Sequence, residues 1–200
     1  MCIRDSHDTM RAVRRTACRA KLPLRYSQGF NPRPLLSLAC PRPVGVATRD
    51  DLLVLVLDAP MEGADILAAM NDRAPEGMRF IAASRLTTKK APRPRLCRYE
   101  MPIPDDLRAD LRPRLDELMQ QANWPIERLV TSRRGRQRST RQIDLRPLVA
   151  ELRLTGDVLQ MKLVPHADLW ARCGEVLRLL GLDERLHLAM VVRTAVECDN

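Results

Sequence analysis

The sequence predicts an α+β protein built from two successive βαββαβ units, and three features carry that prediction. Apolar residues switch between helical and alternating spacing, and the second half repeats the order of the first. A basic, proline-bearing stretch at residues 87–96 separates the two halves. The 200 residues are 45% hydrophobic, enough to bury two cores.

The first six residues, Met-Cys-Ile-Arg-Asp-Ser, resemble translated sequencing-adapter sequence and read as a non-native leader. Residues 6–21 read as a helix, with Met10, Val13, Ala17 and Ala20 on one face and Arg11, Arg15 and Arg19 on another. That arginine stripe is either a solvated face or an extension of the positive surface that follows it. Residues 35–40 and 52–57 read as strands, the second an apolar run suited to the middle of a sheet. Residues 61–73 read as a helix stopped by Pro75 and Gly77, and 78–84 as a returning strand. With one strand restored ahead of the first helix, residues 7–86 become a ferredoxin-like half that lacks its first strand.

In the second half, residues 97–200, the expected elements are a strand at 97–103, a helix at 105–123 strained by Pro113, and a strand at 126–131. A hairpin at 149–154 and 158–164 turns on Thr155-Gly156-Asp157, a helix at 167–180 is closed by Gly181, and 188–196 is the last strand. Two tandem ferredoxin-like halves are the expected fold.

The net charge is +9, and its distribution says more than its size. Residues 85–98 hold six basic residues and no acid; residues 128–146 hold seven against Asp144 alone. The two windows carry +12 and leave −3 for the rest, so the basicity is local and favours an anionic partner. Cys2, Cys18, Cys40, Cys97, Cys173 and Cys198 are never closer than 16 positions, which excludes zinc-ribbon spacing and a local disulfide frame. Free thiols in a reducing cytosol are expected, and with no secretory pattern or long apolar run the protein reads as cytoplasmic.

The stretch LRYSQGFNPRPLLSLACPRPVGV at residues 24–46 stands out. Its prolines force extended or turned backbone, and Gly29 is free to take a positive φ that displays Tyr26 and Phe30 around a bend. Two readings stay open: a recognition surface built from Arg25, Tyr26, Gln28, Gly29, Phe30, Asn31 and Arg33, or a stiff connector whose two rings plug a core.

This stretch carries a resemblance. His-Asp-x-Met-Arg at 7–11, Leu-Pro-Leu-x-Tyr-Ser-Gln-Gly-Phe-Asn-Pro-x-Pro at 22–34 and Pro-x-Pro-Val-Gly-Val at 41–46 resemble the radical-SAM-linked family of unknown function. Leu-Gly-Leu at 180–182 and Arg193-Thr194 resemble that family's ending. Members of the family occur beside or fused behind radical SAM proteins that often carry a cobalamin-binding domain. The resemblance therefore implies a radical SAM enzyme as partner, with the iron–sulfur cluster and SAM held by that partner. This chain has no CxxxCxxC run of its own, and no cofactor or metal is expected on it. Arg33 stands where the family usually has His, which argues against metal or acid/base chemistry at that position.

Other chemistry is sparse. His7 beside Asp8 forms either an acid/base pair or an ordinary helix start with a capping acid. No Walker loop, GxGxxG, HExxH or GxSxG is present. The run SRRGRQRSTR at 132–141 offers Arg133, Arg134, Arg136, Arg138 and Arg141 around Gly135, a flexible tip suited to bidentate phosphate contacts. The expected function is a noncatalytic accessory protein that works with a radical SAM enzyme and contacts RNA or another polyanion. The alternatives are an RNA-processing or RNA-modifying enzyme using His7, Asp8 and Tyr26, and a protein-interaction adaptor without nucleic acid.

Overall fold

The arginine-striped helix, α1 (Ser6–Arg19), forms as its spacing predicts: Val13 and Ala17 are buried and Arg11, Arg15 and Arg19 are exposed. Its end is a Schellman motif, with the Leu22 amide donating to the Ala17 carbonyl and the Lys21 amide to that of Cys18. Lys21 takes the left-handed position at φ +54° that glycine usually fills. A computed structural model describes residues 6–41, 43–86, 91–131, 138–167 and 169–199. Residues 1–5 of the expected leader lie outside the described residues, and Ser6 is the first residue of α1.

The chain divides into two compact units. The first runs to Val44, resumes over Asp51–Pro94 and takes the chain end from Cys198; the second holds Gly45–Asp50 and Arg95–Glu197. Within the first, β1 (Leu36–Leu38) pairs antiparallel with β3 (Leu53–Leu55), and α2 (Gly63–Asp72) follows. Ala17, Leu22, Leu24 and Met70 form the buried cluster, against which Leu53, Leu55, Leu57, Ile66 and Phe80 pack.

Two expectations for this unit are corrected. The run at 52–57 lies in a two-stranded pair and is half-buried, not central in a wide sheet. Residues 78–84 form no strand. The Asn71 side-chain amide takes both backbone groups of Phe80, donating to its carbonyl and accepting its N–H, each at 2.9 Å. A side chain thus substitutes for the neighbouring strand that a ladder would need.

In the second unit β2 (Ala47–Thr48), β4 (Arg93–Pro102), β7 (Val149–Thr155), β8 (Val158–Leu163) and β9 (Val192–Asp199) form a sheet ordered β2-β9-β4-β8-β7. β4 begins inside the stretch 87–96 expected as linker: the face that Cys97, Tyr99 and Met101 bury starts with exposed Arg93 and Arg95, so the strand's first residues lie beyond the covered part of that face. The β7–β8 hairpin turns at Gly156, φ +60°, as its sequence predicts.

The helix α3 (Asp105–Gln120) passes through Pro113, buries Leu111, Leu115 and Leu118, and ends short of the expected residue 123. Buried Trp124 explains the stop, because its Nε1–H donates to the Leu118 carbonyl at 2.8 Å and satisfies a helix-end acceptor. The strands β5 (Pro125–Thr131) and β6 (Arg138–Asp144) form a separate two-stranded ribbon. β6 is a correction, since most of it reads as loop in the sequence; only Ile143 in it is apolar, so its alternation is invisible there.

The next helix, α4 (Cys173–Leu179), is shorter than the expected 167–180. The Arg172 N–H donates to Glu175 Oε2 at 2.8 Å, so a first-turn carboxylate caps the helix start, and His166 and Leu169 form a bridge ahead of it. Its C-terminus is a second Schellman motif with Gly181 at φ +69°. The short α5 (Glu184–His187) and a 3₁₀ turn precede β9, which starts later than expected.

Candidate functional site

The loop at residues 24–34 is a clasped hairpin. The Arg25 N–H donates to the Val56 carbonyl at 2.8 Å while the Arg25 carbonyl accepts from the Leu35 N–H at 2.7 Å, which seats the loop base beside β3 and β1. One step outward, Tyr26 and Pro34 form a bridge. The Ser27 N–H donates to the Arg33 carbonyl at 2.8 Å, and the Arg33 N–H donates to the Ser27 Oγ at 3.0 Å. Gly29 has φ +134°, and a Cβ there would meet open space, so conformation and not crowding requires glycine.

The clasp displays its tip. Phe30 has a relative exposure of 105% and Tyr26 of 45%, so Phe30 plugs no core. Gln28, Asn31 and Arg33 are exposed beside it. The Tyr26 hydroxyl lies 3.9 Å from the Cys18 Sγ, and the thiol pushes the phenol above its ordinary pKa. Cys18 follows Arg11, Arg14 and Arg15 at helical spacing, so this contact sets the loop against the arginine-bearing face of α1. Arg25 Nε donates to Asp58 Oδ1 at 2.7 Å, an exposed pair of little energetic weight.

One signal escapes the charge windows. From Thr9 to Arg49 the sequence has nine Lys and Arg and no acid. The −3 assigned to everything outside residues 85–98 and 128–146 averages this stretch with acidic segments elsewhere. The loop and α1 therefore occupy the longest acid-free basic segment of the chain.

The two windows themselves are partly neutralised. Arg98 donates to Glu197 Oε1 through Nε at 3.2 Å and Nη2 at 2.5 Å, and Arg95 reaches Glu197 Oε2 at 3.3 Å. These hydrogen bonds, with Arg98 foremost, hold the Glu197 carboxyl below its ordinary pKa. Outside the windows, Glu151 pairs with Lys162 on the neighbouring strand β8 and with Arg153 on its own strand, and its pKa is lowered, chiefly by the Lys162 hydrogen bond.

Arg128, on β5, is buried. It donates to both Glu175 oxygens, at 2.6 and 2.5 Å, and to the Trp170 carbonyl at 2.9 Å. Its place on the inward phase of Ile126-x-Arg128 was the available sequence signal for that burial. Arg146 lies over the Trp124 ring, 5.0 Å from its centre.

Of the expected ribbon arginines, Arg141 is exposed and Arg138 opens β6, while Arg133, Arg134 and Arg136 lie outside the described residues. Leu129 and Val130 are exposed on β5.

His7 and Asp8 stand in the first turn of α1, where exposed Asp8 lies 3.5 Å from Arg11. Cys173 is fully buried, which pushes its thiol up to about 12 and removes it as a nucleophile. Among the described residues no group of three or more His, Cys, Asp or Glu is placed to hold a metal ion, and no helix is long and apolar enough to cross a membrane.

The fold and site define a mixed α/β protein that presents a stiff, aromatic-tipped loop on a basic segment. Residues 5–177 match the model of a family described as an uncharacterised protein conserved in bacteria, DUF2344, and the chain belongs to that family. No curated protein matches the chain.

Proposed function

We propose that this chain is a noncatalytic, cytoplasmic accessory protein that works with a radical SAM enzyme and contacts RNA or another polyanion. The observation that carries the polyanion reading is the clasped loop, whose exposed Phe30, Gln28, Asn31 and Arg33 lie within forty-one residues free of acid. Arg141 and the sequence-adjacent arginines of the ribbon add a second basic element. The radical SAM partnership rests on the motifs at 7–11, 22–34 and 41–46, with the iron–sulfur cluster and SAM on the partner.

The second unit's strand order β9-β4-β8-β7, with α3 following β4 and α4 following β8, supports a ferredoxin-like half there. In the first unit the described strands are too few to support the same reading.

The test is a gel-shift titration of the purified protein with structured RNA across salt. Binding at low salt with a steep salt slope is expected. Replacing Arg133, Arg134, Arg136 and Arg138 with Ala should flatten the slope by about 0.7–0.9 for each phosphate no longer neutralised. An unchanged slope removes the ribbon from the interface. The adaptor reading, favoured by exposed Phe30, Leu129 and Val130, predicts instead salt-insensitive binding to the partner enzyme and none to RNA.

A further inference from the structure

Resting on the RNA reading above, we infer that Phe30 is a stacking platform for one unpaired nucleobase, so that the RNA taken by the loop is single-stranded at that point. Three observations converge on it. At 105% relative exposure the ring has both faces free, which a side chain serving the fold of its own chain does not show. The backbone beneath it is already ordered by the Ser27–Arg33 clasp, the Tyr26–Pro34 bridge and Pro32, so a ligand need not pay to freeze the loop.

The groups flanking the ring suit a base and its phosphate. Gln28 and Asn31 carry amides with both donors and acceptors for base edges, and the exposed Arg33 guanidinium suits a phosphate. The stretch from Thr9 to Arg49 carries no carboxylate, and Asp58 at the loop base is paired with Arg25. A base inside a duplex offers no free face to such a ring, whereas an unpaired base does. A protein pocket could also accept a lone phenyl ring. It would take Leu nearly as well and would reject the larger indole, which is the reverse of a stacking order.

The probe is a single-stranded RNA oligonucleotide carrying one 2-aminopurine, compared with the same strand annealed to its complement. Wild-type protein should quench the single strand's fluorescence and leave the duplex unchanged. Phe30→Ala and Phe30→Leu should both weaken single-strand binding by about 5- to 150-fold. Phe30→Trp should bind at least as tightly as wild type, with its added indole emission quenched. Thermal melts of all three variants should match wild type, because the ring touches no core.

Equal binding of Phe and Leu, or equal binding of duplex and single strand, overturns the stacking assignment. If RNA binds with a steep salt slope but ignores every Phe30 variant, the inference fails while the RNA reading stands. If no form binds RNA, both fail.

Discussion

The five-stranded sheet and the loop-bearing first unit use the same side chains to opposite ends. On the sheet, Glu197 binds Arg98 and Arg95, and Glu151 binds Lys162 and Arg153, so each cation has its anion within the unit. Around the loop, Arg25 pairs with Asp58, while Arg15, Arg19 and Arg33 are exposed in a stretch whose own sequence contains no acid. The difference separates cations paired with carboxylates inside the unit from cations exposed in a stretch without acid. Net charge alone makes no such distinction, because an arginine neutralised by a glutamate far along the chain still counts as a local positive charge.

Breaking the paired side should cost stability. Glu175→Ala would leave Arg128 buried without its carboxylate and remove the acceptor of the Arg172 N–H at the start of α4, at a cost of about 3–5 kcal/mol. Denaturant unfolding measures it, and a loss under about 1 kcal/mol would mean that Arg128 escapes to water.

Breaking the free side should cost binding instead. Gly29→Val meets no neighbour, so only the φ of +134° opposes it, a local strain of about 1–3 kcal/mol. The loop should relax by losing its displayed geometry. RNA affinity should drop while the melting temperature falls only a little, and full affinity in this variant would show that the clasp is not needed.

The smallest effect is the pH dependence of the sheet's pairs. The carboxyl of Glu197 is held below its ordinary pKa, so its stabilising contribution is fully present above that ordinary value. It is lost as pH falls through the lowered folded value. The melting-temperature gap between wild type and Glu197→Gln should therefore be largest near neutrality and close on acidification. A gap that widened in acid would reverse the assignment of which state binds the proton more tightly.

Much of the fold could be read from local rules. The face of α1, the Gly156 turn and the Gly181 helix end each depend on residues within a few positions of one another, and each lies where the pattern put it. The display loop was legible for the same reason: Gly29, Pro32 and Pro34 constrain their own backbone whatever surrounds them. What local rules could not supply was the competition between distant groups. In residues 78–84 the Phe80 backbone is held by the Asn71 amide and not by a neighbouring strand. Similarly, β6 pairs along its length with β5, Ile143 opposite Ile126, although its own residues are nearly all polar.

The site divides along the same line. By itself the sequence determined that a stiff glycine- and proline-shaped loop with two rings would lie in a basic stretch, because backbone restriction and formal charge are properties of single residues. The tertiary structure alone decided that Phe30 faces water, that Cys18 meets Tyr26, and that Arg128, Arg95 and Arg98 are withdrawn into ion pairs. Arg98 and Glu197 are 99 residues apart, and Arg128 and Glu175 are 47 apart. Exposure and ion pairing depend on what folding brings to within a few ångströms, and no local pattern encodes that distance.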